Sequence, residues 1–182
     1  RRGVAGMVYA FKIAGAAAKK MMPLEEVVRV TEKALNNIRT MGVALSPCIV
    51  PEVGKPTFSI NENEIEIGMG IHGEPGIEVK KMMTANEIAS TIFKKIITEI
   101  SLNENDEVSV MVNGLGGTPL EEQLIVYRQL HIMLKERNVH SYMPHIGEFA
   151  TSMEMAGLSI SILKLDEELK ELLRYPAMTP FY

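Results

Sequence analysis

From Glu64 onward the sequence switches repeatedly between two periodicities, and that alternation restricts the chain to an α/β layer structure. Ile65, Ile67, Met69 and Ile71 fall on one face of a period-2 stretch, with Glu64, Glu66, Gly68, Gly70 and His72 on the other. Thr84-Ala85-Asn86-Glu87 then has capping-box spacing and predicts a helix over 85–100, with Ile88, Ile92, Ile96 and Ile100 inward. Val108, Val110 and Val112 return to period 2. Thr118-Pro119-Leu120-Glu121 is a second capping-box pattern, predicting a helix to about residue 137. Period 2 returns over 139–146 and 158–164, and Asp166 is placed to cap a short last helix to residue 174. The expectation is a mixed β-sheet covered by helices, with strands near 64–71, 107–113, 139–145 and 158–164.

The first sixty residues read differently. Residues 4–20 predict a helix rich in Ala and Gly, whose small side chains suit close packing against a neighbour. Pro23 opens a second predicted helix over 24–40, with Val27, Val30, Ala34 and Ile38 as its apolar stripe and Gly42 as its end. Pro47, Pro51 and Pro56 forbid a long helix over 43–60 and discourage a central strand, leaving an irregular extended region.

Composition excludes several classes. A net charge of −4 gives no electrostatic reason to expect nucleic acid or an anionic membrane. No apolar run reaches the roughly 18 residues a membrane span needs, and the first residues have no apolar core of a signal peptide. The single cysteine, Cys48, excludes an intrachain disulfide and fits a reducing cytoplasm. A length of 182 residues is enough for one large domain or two small ones.

The position with most chemical content is His72. It stands where the 64–71 strand pattern meets a turn at Gly73, Pro75 and Gly76, and its same-face neighbours Gly68 and Gly70 have no side chains. Two roles fit that position: a strand-end histidine bonded to a local carbonyl, or an imidazole open to a small molecule. The loop Asn113-Gly114-Leu115-Gly116-Gly117 joins a strand to a helix start, which is an arrangement that can hold anions. It lacks the Lys-Ser/Thr of a Walker A loop, leaving a tight turn or a substrate or partner edge. His131 reads as a surface or packing residue. His140 and His145, five apart on one strand, point to opposite faces, so no shared metal is expected.

GMGIHGEPG (68–76) resembles the segment of the dihydroxyacetone kinases that carries their substrate-binding histidine. RRGVAGMVYAFKIAGAAA (1–18), CIVPEVGKPTF (48–58), VNGLGGTPLEE (112–122) and GEFATSMEMAGLSISILKLDEEL (147–169) resemble the same family in the same order. The resemblance covers the whole chain and is to the C-terminal half of the substrate-binding K subunit. It implies that His72 captures dihydroxyacetone covalently as a hemiaminal for phosphorylation. An alternative is a K-like paralogue that binds dihydroxyacetone as coactivator of a transcription regulator.

The resemblance further implies that this chain holds no cofactor, with ATP or ADP and Mg on a separate L subunit or domain. It implies a cytoplasmic homodimer and favours the phosphotransferase system as phosphoryl source. The family's GGGSGHEP-type loop and acidic residue do not occur here, so this chain alone is expected to be inactive. The organisation implied is 1–40 as helices leading from an absent N-terminal domain, 41–146 as the histidine domain, and 147–182 as a strand, helix and tail. The terminal helices are expected to pack on that absent domain.

Overall fold

A computed structural model describes residues 3–71, 75–180 and 182. Their elements run α1 (Met7–Lys19), α2 (Leu24–Asn36), β1 (Ile38–Ala44), β2 (Ile49–Val50), β3 (Lys55–Pro56), β4 (Glu64–Ile67), β5 (Glu78–Lys81), α3 (Ala85–Ile96) and β6 (Glu107–Gly114). They continue with α4 (Leu120–Lys135), β7 (His140–Ser141), β8 (His145–Gly147), β9 (Gly157–Leu165) and α5 (Glu167–Arg174). The main sheet has the order β5-β4-β1-β9-β6-β7, with β8 also pairing β6; β2 and β3 form a separate hairpin. β7 and β8 run parallel to β6, and the other pairings in the sheet are antiparallel.

Both faces of the sheet are covered, and β9 explains how. Leu158, Ile160 and Ile162 point into one core, where α3 contributes Ile88, Ile92, Phe93 and Ile96 and α4 contributes Val126, Leu130 and Leu134. Leu163 and Leu165 point into the second, where α1 contributes Tyr9 and Ile13, α2 contributes Val30 and Ala34, and α5 contributes Leu169, Leu172 and Leu173. Each aliphatic side chain buried this way stabilises the fold by about 1.5–3 kcal/mol before entropy is counted. The hydroxyls of β1 and β9 pair inside the sheet, Thr40 Oγ1 lying 2.8 Å from Ser161 Oγ. The two helix starts expected from Thr84 and Asp166 are present. Thr84 forms a complete capping box with Glu87, and Asp166 Oδ1 accepts from Leu169 N at 2.9 Å.

Several expectations are corrected. The second helix stops at Asn36, and 38–44 is the central strand β1. Between β4 and β9 it is buried on both faces, so it has no alternation to read. Gly42 is therefore a strand residue, at a place where a Cβ would lie 2.9 Å from Met69 O. The 64–71 strand ends at Ile67, because Gly68 turns the chain with φ 79°. The 139–145 strand is split into β7 and β8 where Met143 takes φ 44° before Pro144, which has no N–H to pair.

Thr118 does not cap α4, whose N-cap is Pro119. Its hydroxyl serves Gly157 instead, donating to O at 2.7 Å and accepting from N at 2.8 Å. Of the Ala and Gly residues in 5–18, Ala5, Gly6, Ala10, Ala16 and Ala17 are buried within the chain, Ala14 is half-buried, and Gly15 and Ala18 are exposed. Met7, Phe11 and Gly15 form the exposed ridge of α1.

Candidate functional site

The C-terminal ends of β1 and β6 and the start of β9 lie side by side, with Ala44 paired to Gly157 and Gly114 paired to Leu158. Four loops leave this edge: 45–48, 68–71, 115–119 and 148–156. The left-handed turn at Gly68 carries the chain across the edge. There Met69 packs in a small core with Ala44, Cys48, Leu115 and Met155, and Phe58 and Ile71 lie against it. The predicted histidine, His72, falls outside the described residues together with Gly73 and Glu74; the residues on either side of them are described. Ile71 O accepts a hydrogen bond from Ser152 Oγ at 2.7 Å. On the return, Gly76 N donates to Glu66 Oε1 at 2.5 Å, and Ile77 N donates to Ile67 O at 2.8 Å.

The 148–156 loop is held by β6. Asn113 is fully buried at the end of that strand. Its Oδ1 accepts from Phe149 N at 2.8 Å and Ala150 N at 2.7 Å, while Nδ2 donates to Ala150 O at 2.8 Å and Ser159 Oγ at 3.2 Å. Gly116 and Gly117 let the two backbones meet. Gly117 N donates to Met155 O at 2.9 Å, and a Cβ on Gly116 would overlap the Met153 carbonyl oxygen. The loop makes the expected turn from β6 into α4, and its glycines serve in addition a close packing of two backbones. Gln123 Nε2 donates to Thr118 O at 2.9 Å and Glu148 Oε1 at 2.7 Å, which ties the first turn of α4 to the same loop.

Described residues of four of the five family-like segments, 48–58, 68–76, 112–122 and 147–169, thus meet at one sheet edge, while 1–18 forms α1 in the second core. Asn113 is visible in the sequence only as the first residue of the glycine loop, and Ser152 carries no sequence signal.

The other histidines sit elsewhere. His131 is exposed on α4. His145 is wedged between Tyr9, Phe149 and Tyr182, with Nε2 2.7 Å from Tyr182 Oη and Nδ1 3.4 Å from Ser109 Oγ. Burial, with Lys12 nearby, holds its pKa down at about 4. Lys12, its own pKa lowered by burial, donates to Tyr175 O and lies over the Tyr182 ring. Beside them runs a groove of about 440 Å³ lined by Val8, Phe11, Lys19, Phe149 and Pro176 among others. Among the described residues no group of three or more His, Cys, Asp or Glu is arranged to hold a metal ion, and no helix is long and apolar enough to cross a membrane.

A helix-covered mixed sheet whose strand ends carry several interlocked loops defines an α/β protein that presents loops from one sheet edge. The chain belongs to the Dak1 domain family, whose pattern matches residues 1–181. It is 46% identical over 182 residues to the dihydroxyacetone-binding subunit DhaK of PTS-dependent dihydroxyacetone kinase 2 from Listeria innocua, covering 100% of this chain and 55% of that protein. It is 41% identical to L-erythrulose kinase from Pectobacterium atrosepticum, covering 100% of this chain and 32% of that protein.

Among solved structures it resembles the dihydroxyacetone kinase operon co-activator Dha-DhaQ, with a TM-score of 0.89 and 31% identity over 95% of this chain and 54% of that one. It also resembles the dihydroxyacetone kinase from C. freundii in complex with AMP-PNP and Mg2+. There the TM-score is 0.77 at 28% identity, over 94% of this chain and 31% of that one. The chain spans about half the length of the DhaK relatives it matches.

Proposed function

We propose that this chain is the substrate-holding part of a dihydroxyacetone kinase and that His72 captures the substrate. The observation carrying this reading is similarity to dihydroxyacetone-binding subunits along the entire chain, at 46% and 47% identity to two of them. A neutral imidazole nitrogen adds its lone pair to the ketone carbon of dihydroxyacetone. The carbonyl pair moves to oxygen, which takes up a proton, and the ring gives up its N–H proton, leaving a neutral hemiaminal. Glycerol has no carbonyl and cannot be held this way. A terminal hydroxyl of the captured ketone then receives the phosphoryl group.

Nucleotide and Mg belong, in this reading, to a separate L-type subunit or domain, with the phosphotransferase system as phosphoryl source, and the protein works as a cytoplasmic homodimer. Residues 1–40 lead from a further N-terminal domain that supplies the remaining catalytic groups, 41–146 form the histidine domain, and 147–182 return toward that further domain. The groove between α1 and the tail, with Phe11 exposed beside it, is the face offered to it. This chain alone is inactive.

The resemblance to the co-activator favours a second reading: a paralogue that binds dihydroxyacetone to switch a transcription regulator. Reconstitution separates the two. The protein carrying this chain is combined with an L-type subunit and its phosphoryl donor, and dihydroxyacetone phosphate is measured. Turnover that is lost in His72→Ala supports the kinase. Dihydroxyacetone binding without turnover, under conditions where a known kinase subunit turns over, supports the co-activator.

A further inference from the structure

The glycine loop 113–117 and the 148–156 loop form a buried chain of contacts that ends at the residue before His72. Asn113 fixes the backbone at 149 and 150 through three hydrogen bonds. Two residues on, Ser152 is held by its own backbone, with N donating to Leu115 O at 2.8 Å and O accepting from Met155 N at 3.0 Å. Its side chain is 8% exposed and reaches across to Ile71 O. Cys48 Sγ, 3.4 Å from Ser152 Oγ, fills the space beside it. A hydroxyl held at both backbone groups of its residue has little freedom to follow a moving loop. The Ile71 carbonyl is therefore registered to the rigid end of β6, while Glu66 holds the other end of the same loop at Gly76.

We propose that Ser152 is a positioning residue for substrate capture, fixing the Ile71 carbonyl, the backbone group that precedes His72 in the chain. This rests on the reading of His72 given above. The role explains what the glycine loop is for: Gly116 and Gly117 bring the 148–156 backbone close enough for Ser152 to reach Ile71. Displacing a reacting group by about 1 Å costs on the order of 100-fold in rate.

The test measures dihydroxyacetone adduct on His72 by intact-protein mass spectrometry, in the protein carrying this chain, with glycerol as control. Ser152→Ala is compared with wild type and with Leu115→Val, a truncation in the same apolar cluster that leaves the Ser152 bonds in place. Ser152→Cys, a weaker donor, replaces the alanine variant if that fails to fold. The expected result is a capture rate lowered about 10- to 100-fold in Ser152→Ala and less in Ser152→Cys. Leu115→Val captures at the wild-type rate, whatever it loses in melting temperature. Capture by Ser152→Ala within twofold of wild type overturns the proposal and leaves the reading of His72 intact. Equal losses in Ser152→Ala and Leu115→Val also overturn it, because they mark general loosening. No adduct on wild type overturns the reading of His72 and this proposal with it.

Discussion

Gly116 has φ 117°, a conformation that strains any side-chain-bearing residue, and its missing Cβ leaves room for the Met153 carbonyl. Both penalties fall on one atom, so Gly116→Ala is expected to cost on the order of 2–4 kcal/mol, read as a lowered urea midpoint. A loss below about 0.5 kcal/mol would mean that the two loops separate without cost. Asn113 is costly to replace for a different reason. It is fully buried near the end of β6 and satisfies two backbone N–H groups and one carbonyl, which its loss would leave without these partners. The sequence makes the glycines visible as loop formers but hides their purpose. A close approach between segments forty residues apart leaves no periodic trace, and Ser152 looks like any loop serine.

Among the elements, those with one buried face were legible and those buried on both were not. α3 lines up Ile88, Ile92 and Ile96 as its spacing predicts. β1 has no exposed face to contrast with its buried one, and Ile38 at its start continues the helical stripe of α2, so the sequence pattern extends the helix too far. The C-terminal tail is a different kind of element, docked by single side chains: Lys12 on Tyr175 O and His145 on Tyr182. His145 carries a pH dependence with a definite sign. Its folded pKa of about 4 lies below the ordinary 6.5, so the unfolded chain takes up a proton first as pH falls. Its contribution is complete above pH 6.5 and is lost between about 6.5 and 4, on the order of 1–3 kcal/mol in all. Lys12 faces it from α1, its own pKa lowered by burial. Urea unfolding at pH 7.5 and 4.5 should show a smaller pH effect in His145→Gln than in wild type. An equal effect would place the titration elsewhere.

At the scale of the molecule, two cores fix a sheet, and the sheet fixes an edge on which the loops of residues 45–48, 68–71, 115–119 and 148–156 are locked together. Rigidity at that edge is what a covalent capture site needs, because the nucleophile must already lie in line with a small ketone that offers few handles. The most direct measurement is a crystal structure of the protein carrying this chain soaked with dihydroxyacetone, with parallel soaks of His72→Ala and of glycerol. The account predicts continuous density between His72 and the ketone carbon in wild type with dihydroxyacetone alone. Occupancy should fall as pH drops below the imidazole pKa, because only the neutral ring has a nitrogen pair to give. Dihydroxyacetone held as well and as selectively by His72→Ala as by wild type would contradict it and leave His72 a structural residue.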